Sequence, residues 1–296
     1  MGIGGLNMYL PDFEYYAPAT LSEACDLLEK LGPEAKVFAG GTDVLSKMKQ
    51  ELLFPKAIVS LKNLGGLSEI RLGNNNDVII GAKATHNNLI DSPVLQEKYP
   101  SLCNAARQMA NNQVRNIGTV GGNIVNAVPS ADLPPLLIAL GAKIKLVGAT
   151  GERVLPLEDF FTGPNKSVIE QDEILTEFII EEQPFTGSTY IKFALRRSGA
   201  LAVASVAAAV AMEGNVCRKA RIVLGAVAPT PLRAKKAEEM LTGKEITDEL
   251  LEEAGSAASK ESKPISDIRG SEEYRRDLVR VLTGRALRKA INEGHV

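Results

Sequence analysis

Two short segments hold the residue types that can grip an anion. Ala39-Gly40-Gly41-Thr42-Asp43 follows a short apolar run, and Gly118-Thr119-Val120-Gly121-Gly122-Asn123 is a second glycine-dense turn. Glycine lets backbone N–H groups approach a charged ligand, because no Cβ intervenes and positive φ is open to it. A helix starting just after such a turn adds free amides and a favourable dipole. Either turn alone is an ordinary strand-to-helix corner. Together they suit a diphosphate gripped from both sides, and hence a dinucleotide. The chain has no GxxxxGK[ST], which disfavours a P-loop, and no GxGxxG in a βαβ unit, which disfavours a Rossmann domain. The GxGG at Gly2 to Gly5 has no strand before it and belongs to an expected floppy leader, residues 1–8.

Other chemistries are excluded by composition. The only histidines are His86 and His295, and Cys25, Cys103 and Cys217 are widely spaced with no CxxC. A histidine-rich metal centre, an HExxH protease and a cysteine-held cluster are therefore not built from this chain. With 296 residues, 45% hydrophobic and 24% charged, the chain makes a core without staples. Its 34 basic and 36 acidic residues give a net charge of −2, with no basic patch for nucleic acid. The most apolar stretch, Ala200 to Met212, is too short to cross a bilayer, and no signal peptide is visible. Three unpaired cysteines fit a reducing compartment, so a cytoplasmic location is expected.

The elements that position the turns follow from patterning. Thr20 and Glu23 form a capping box before an amphipathic helix that ends at Gly32-Pro33. Ala35 to Ala39 predicts a strand, with a helix opening at Thr42-Asp43. Ala57 to Leu61 predicts a strand, and residues 69–72 and 78–81 a hairpin around the asparagine-rich turn. Residues 87–112 read as helices broken by Pro93 and Pro100, and Pro134 opens another over 133–140. A second hairpin covers 143–147 and 153–157. Strands follow at Ile174 to Ile180, Tyr190 to Leu195 and Arg221 to Val227; Ala202 to Ala211 reads as a strand or a small-residue helix. Three helical stretches end the chain, at 234–241, 248–260 and 274–292.

These segments resemble the FAD-binding (medium) subunit of the molybdenum hydroxylases, the xanthine dehydrogenase, carbon monoxide dehydrogenase and nicotinate dehydrogenase group. The resemblance runs from Phe13 to Ala24, through Ala39 to Asp43, Ile80 to Thr85, Arg115 to Ile124 and Pro129 to Asp132, to Gly225 to Ala234 and Tyr274 to Leu287. It implies an α+β fold: a PCMH/VAO-type FAD-binding domain over 9–180, then a smaller C-terminal α+β domain of antiparallel sheet and helices over 181–296. It places FAD contacts on Val37, Phe38, Ala39, Gly40, Gly41, Thr42, Asp43 and Val44, and on Thr119, Val120, Gly121, Gly122 and Asn123. Single contacts fall on Asp132, Leu175 and Lys192, and Leu201 lies near the flavin ring.

The glycines are then expected to give close approach to the diphosphate, and Thr42, Thr119 and Asn123 to supply side-chain hydrogen bonds. Asp132 either accepts from a ribityl or ribose hydroxyl or caps the helix at Leu133; Lys192 is either a cation at the flavin's pyrimidine edge or a solvated strand lysine. Leu175 is expected to be a core leucine that also touches the cofactor. His86 is expected to be structural or surface-polar. Where many proteins of the wider fold attach FAD through a histidine, this chain has Gly40-Gly41-Thr42, which implies noncovalent FAD. The resemblance implies no catalytic residue and no metal here: molybdopterin and two [2Fe–2S] clusters belong to a large and a small partner subunit. The acceptor, NAD, ferredoxin, another flavoprotein or a quinone, stays open, since the acidic residue of some NAD-linked members is not evident around Arg196 to Gly199. A stand-alone flavin oxidoreductase and a flavin-free scaffold are the alternatives.

Overall fold

The computed structural model describes residues 10–196 and 198–293. The expected leader, with Gly2 to Gly5, lies outside the described residues, as does Arg197. The first layer is a small parallel sheet in the order β1-β3-β2, from β1 (Glu14–Tyr16), β2 (Ala35–Phe38) and β3 (Ala57–Ser60). Helix α1 (Leu21–Leu31) covers it with Ala24, Cys25 and Leu28. The Thr20 hydroxyl accepts the Glu23 N–H at 3.2 Å, and the Glu23 carboxylate reaches back to the Ala19 N–H at 2.9 Å. These bonds satisfy amides that the helix leaves open at its start. Helix α2 (Val44–Lys49) joins β2 to β3.

The second sheet is antiparallel, β4-β5-β10-β6-β7. It comprises β4 (Ile70–Leu72), β5 (Val78–Gly81), β6 (Lys143–Gly148), β7 (Gly151–Pro156) and β10 (Ile174–Ile180), with β8 (Phe161–Gly163) and β9 (Lys166–Ser167) as a side hairpin. Between β5 and β6 run α3 (His86–Asp91), α4 (Pro93–Lys98), α5 (Pro100–Arg107), α6 (Asn112–Ile117), α7 (Val120–Val125) and α8 (Leu133–Ala139). Pro93 and Pro100 are the first residues of their helices, where the missing N–H costs nothing. Every residue of α8 is buried, because it is wedged between the second sheet's core and the third sheet.

The third sheet runs β11-β12-β13-β14, from β11 (Gly187–Phe193), β12 (Ala204–Glu213), β13 (Val216–Gly225) and β14 (Leu232–Arg233). β15 (Lys244–Glu245) pairs with β13 as a fifth strand, and beyond the sheet lie α9 (Lys235–Leu241), α10 (Asp248–Glu261) and α11 (Glu272–Glu293). β12 settles the open reading of residues 202–211 in favour of a strand. Its residues Ala204 to Ala211 are all buried, with α8 against one face and α11 against the other. A central strand covered on both faces loses the polar alternation by which strands are recognised. Among the described residues, no helix is long and apolar enough to cross a membrane.

One buried guanidinium ties the C-terminal helices to the third sheet. Arg275, 2% exposed, donates to the carbonyls of Val203 at 2.8 Å and Ala226 at 3.1 Å, and pairs with Asp267 at 2.6 Å. Partial burial pushes the Asp267 carboxyl up, but bonds from Arg269 and Arg275 outweigh it and bring it down to about 2. Replacing Arg275 with methionine leaves two buried carbonyls without this donor and takes from the Asp267 carboxylate one of its two arginine partners. Arg275→Met is expected to lower stability by about 3–5 kcal/mol in urea unfolding; a loss below about 1 kcal/mol shows that the anchor is dispensable.

Candidate flavin site

The first glycine turn begins where β2 ends. Gly41 sits at φ +74°, and a Cβ there would lie 2.4 Å from the Phe38 ring, so only glycine fits. Asp43 stands before α2 without making a capping bond. Among the described residues, the backbone N–H groups of Gly40, Gly41, Thr42, Asp43 and Val44 have no protein acceptor. A run of unmet amides at a helix start is a cradle for an anion.

The second turn is built differently from the first. Helix α7 already starts at Val120, so Gly121, Gly122 and Asn123 are helical. Its early amides are spent inside the protein: Val120 on the Ala84 carbonyl at 2.9 Å, Gly121 on Ala82 at 2.8 Å, and Asn123 on Thr119 at 3.0 Å. The Gly122 N–H goes to the Thr119 hydroxyl at 3.0 Å. Gly121 is glycine for packing, since a Cβ would come 2.8 Å from the Ala82 carbonyl oxygen. Gly122 is exposed, and a Cβ there would meet only the Thr119 hydroxyl, at 3.0 Å.

The two turns touch. A Cβ on Gly40 would stand 1.9 Å from the Ile117 carbonyl oxygen, so backbone lies directly on backbone. Asn126 fastens the contact: its amide donates to the Asp43 carboxylate at 2.8 Å, and its oxygen accepts from Lys47 Nζ at 2.7 Å. Asn126 was not among the expected site residues. The only sequence hint is its place one helical turn beyond Gly122, on the same side of α7.

A second constellation forms where α8 meets β11. Asp132 precedes α8 but makes no capping bond, which removes the capping alternative. Its carboxylate turns to the third sheet, accepting from the Tyr190 hydroxyl at 2.8 Å and from Lys192 Nζ at 2.9 Å. The Asp132 and Lys192 side chains are 8% and 7% exposed, so Lys192 is no solvated strand lysine. Burial pushes the Asp132 carboxyl up, with Lys192 and Tyr190 pulling against it. Burial also drives the Tyr190 phenol well above its ordinary range, which keeps it a donor. Lys192 further approaches the Gln108 carbonyl at 3.5 Å. Next to Gln108, Met109 Sδ lies 3.8 Å from the Asn123 amide nitrogen, and the Asn123 oxygen is buried with no partner.

The remaining expected residues are spread out. Val37, Phe38, Ala39, Thr42 and Val44 are half-buried around the first turn, and Asp43 is exposed. Thr119 is buried beneath the second turn. Val120 and Leu175 lie in one core cluster with Ile124. Leu201 is exposed, just beyond a loop in which Ser198 and Gly199 both donate to the Ala110 carbonyl. His86 is buried rather than surface-polar. Burial, then the charge of Arg115, lowers its ring to about 4, and its Nδ1 has no partner.

This arrangement fits FAD. The unmet amides at Gly40 to Val44 match a diphosphate, the bare Gly122 beside them leaves room for it, and the orphaned Asn123 oxygen matches a hydroxyl or ring N–H donor. Comparison agrees. Residues 11–181 match the FAD binding domain in molybdopterin dehydrogenase, and residues 189–290 the CO dehydrogenase flavoprotein C-terminal domain. Fold and site thus define an FAD-binding oxidoreductase component. More narrowly, the chain belongs to the FAD-binding medium subunits of the molybdenum hydroxylase family. The carbon monoxide dehydrogenase medium chain of Hydrogenophaga pseudoflava is 37% identical over 96% of this chain and 98% of its own length. The glyceraldehyde dehydrogenase medium chain of Sulfolobus acidocaldarius is 35% identical over 95% and 99%. A solved structure of the Hydrogenophaga pseudoflava carbon monoxide dehydrogenase matches with a TM-score of 0.93 at 36% identity, covering 97% of this chain and 99% of that one.

Two outcomes test this geometry. Gly122→Ala adds one methyl where the cofactor is to lie. The apoprotein should stay within about 1 kcal/mol of the parent in stability, while FAD affinity measured by fluorescence quenching falls by about tenfold or more. His86 is neutral in the folded state above about 4, whereas in the unfolded chain it takes a proton below its ordinary value of 6.5. Stability is therefore full above about 6.5, decreases as pH is lowered from there to about 4, and levels off below that, by about 3 kcal/mol in total. His86→Leu should remove this component of the pH dependence in urea titrations; an unchanged profile refutes the assignment.

Proposed function

We propose that this chain is the electron-transfer flavoprotein subunit of a heteromeric molybdenum hydroxylase, with noncovalent FAD placed between a small [2Fe–2S] subunit, a large molybdopterin subunit, and NAD or another acceptor. The carrying observation is the row of unmet amides from Gly40 to Val44, set against the bare Gly122 of the adjoining turn. Bound flavin exchanges electrons singly or in pairs, which suits a place between one-electron clusters and a two-electron acceptor. The chain's own residues bind and orient. The first turn takes the diphosphate, Thr42 and Asn123 offer hydrogen bonds, and Lys192 places a paired cation at the ring edge.

Thr42 offers no imidazole for a covalent flavin link, which supports noncovalent attachment. We read residues 9–180 as the FAD-binding domain and 181–296 as the domain that closes over one side of the flavin. Cys25, Cys103 and Cys217 are free and buried, in keeping with a reducing, cytoplasmic setting.

Purification of the chain from its native source tests the assembly. Flavin, iron and molybdenum are expected in one stable complex. A yellow chain that turns over a substrate alone means a stand-alone flavin oxidoreductase, and a colourless chain means a scaffold. Acid or urea denaturation should release all the flavin into the filtrate; colour retained on the polypeptide disproves the noncovalent link.

A further inference from the structure

A buried ion pair needs a reason. Taking both charges out of water costs several kcal/mol, and well-packed apolar residues of similar volume are often at least as stable. Yet Asp132 and Lys192 sit 2.9 Å apart in the junction between α8 and the third sheet, each under a tenth exposed. Stability does not account for this pair, but its valences do point elsewhere. Both Asp132 oxygens are engaged, Oδ1 by Tyr190 and Oδ2 by Lys192. Lys192 has three N–H donors. One goes to Asp132, and a second reaches the Gln108 carbonyl only at the limit of a hydrogen bond, 3.5 Å. At least one donor is left unspent, beside a loop whose next residue, Met109, accepts from the amide nitrogen of Asn123, the oxygen of which is buried and unpartnered. An unspent donor and an unspent acceptor thus flank one loop at the candidate flavin site.

Tyr190 has no exposure to a ligand. It is 4% exposed and lies two residues before Lys192 on β11, so both side chains leave the same face of the strand. Its hydroxyl gives the carboxylate a second donor and thereby shares the negative charge that otherwise falls wholly on the lysine. We propose that Tyr190 is a positioning residue for the flavin: through Asp132 it fixes the Lys192 ammonium and sets how much of its positive charge reaches the cofactor. This rests on the reading that Lys192 faces the flavin. Without the phenol, the carboxylate screens Lys192 more strongly, and the reduced, more negative flavin loses stabilisation.

The test uses the full chain loaded with FAD at a fixed alkaline pH, with the flavin midpoint potential read by spectroelectrochemistry. Tyr190→Phe should lower the potential. Lys192→Met should lower it further, and the double variant should match Lys192→Met alone, because tyrosine acts only through lysine. Asp132→Asn keeps hydrogen-bonding groups toward both neighbours but removes the screening charge, and it should raise the potential. This variant decides the matter if Tyr190→Phe fails to hold FAD. An unchanged potential in Tyr190→Phe, or a tyrosine effect that persists in the double variant, overturns the proposal. A Lys192→Met protein with the parent's potential instead refutes the placement of Lys192 at the flavin.

Discussion

The whole site depends on one contact with no side chain in it. Gly40 lies against the carbonyl of Ile117, so the loop after β2 and the loop before α7 meet backbone to backbone. Any Cβ would hold them apart. Because they meet, Asn126 of the second turn can bridge to Asp43 and Lys47 of the first. The two turns then take unequal roles. One leaves its amides unmet, while the other spends them on Ala82, Ala84 and Thr119 and forms a wall without free donors.

The third sheet completes the electrostatics that this wall lacks. Asp132 comes from the segment leading into α8, while Tyr190 and Lys192 come from β11. The ion pair therefore crosses between the two halves of the molecule and fixes where the second half sits relative to the glycine turns. Arg275 does comparable work on the far side of that sheet, reaching Val203 and Ala226. Ala226 itself donates its N–H to Pro129, three residues before Asp132. Anchor and ion pair are thus joined through a short stretch of backbone.

Much of this was readable from local pattern. The capping box at Thr20, the hairpins and the proline-opened helices all rest on interactions between near neighbours in the chain, and they occur where the pattern puts them. The glycine turns were visible as chemistry too, though not their inequality. Whether an amide is free depends on carbonyls such as Ala82 and Ala84, which lie some way off in sequence. The same reason hid the role of Asp132, because its partners lie 58 and 60 residues further on. β12 was ambiguous because it is covered on both faces, and Asn126 was missed because its partners Asp43 and Lys47 belong to the other turn.

The route of the polypeptide through the ion pair has a bearing on biosynthesis. On a ribosome the cradle and the wall emerge before β11 does. Until that strand docks, Asp132 is a hydrated carboxylate with nothing to oppose it. A nascent chain can therefore bring the two glycine turns together early, while the charge balance around Asp132 waits for the remainder of translation.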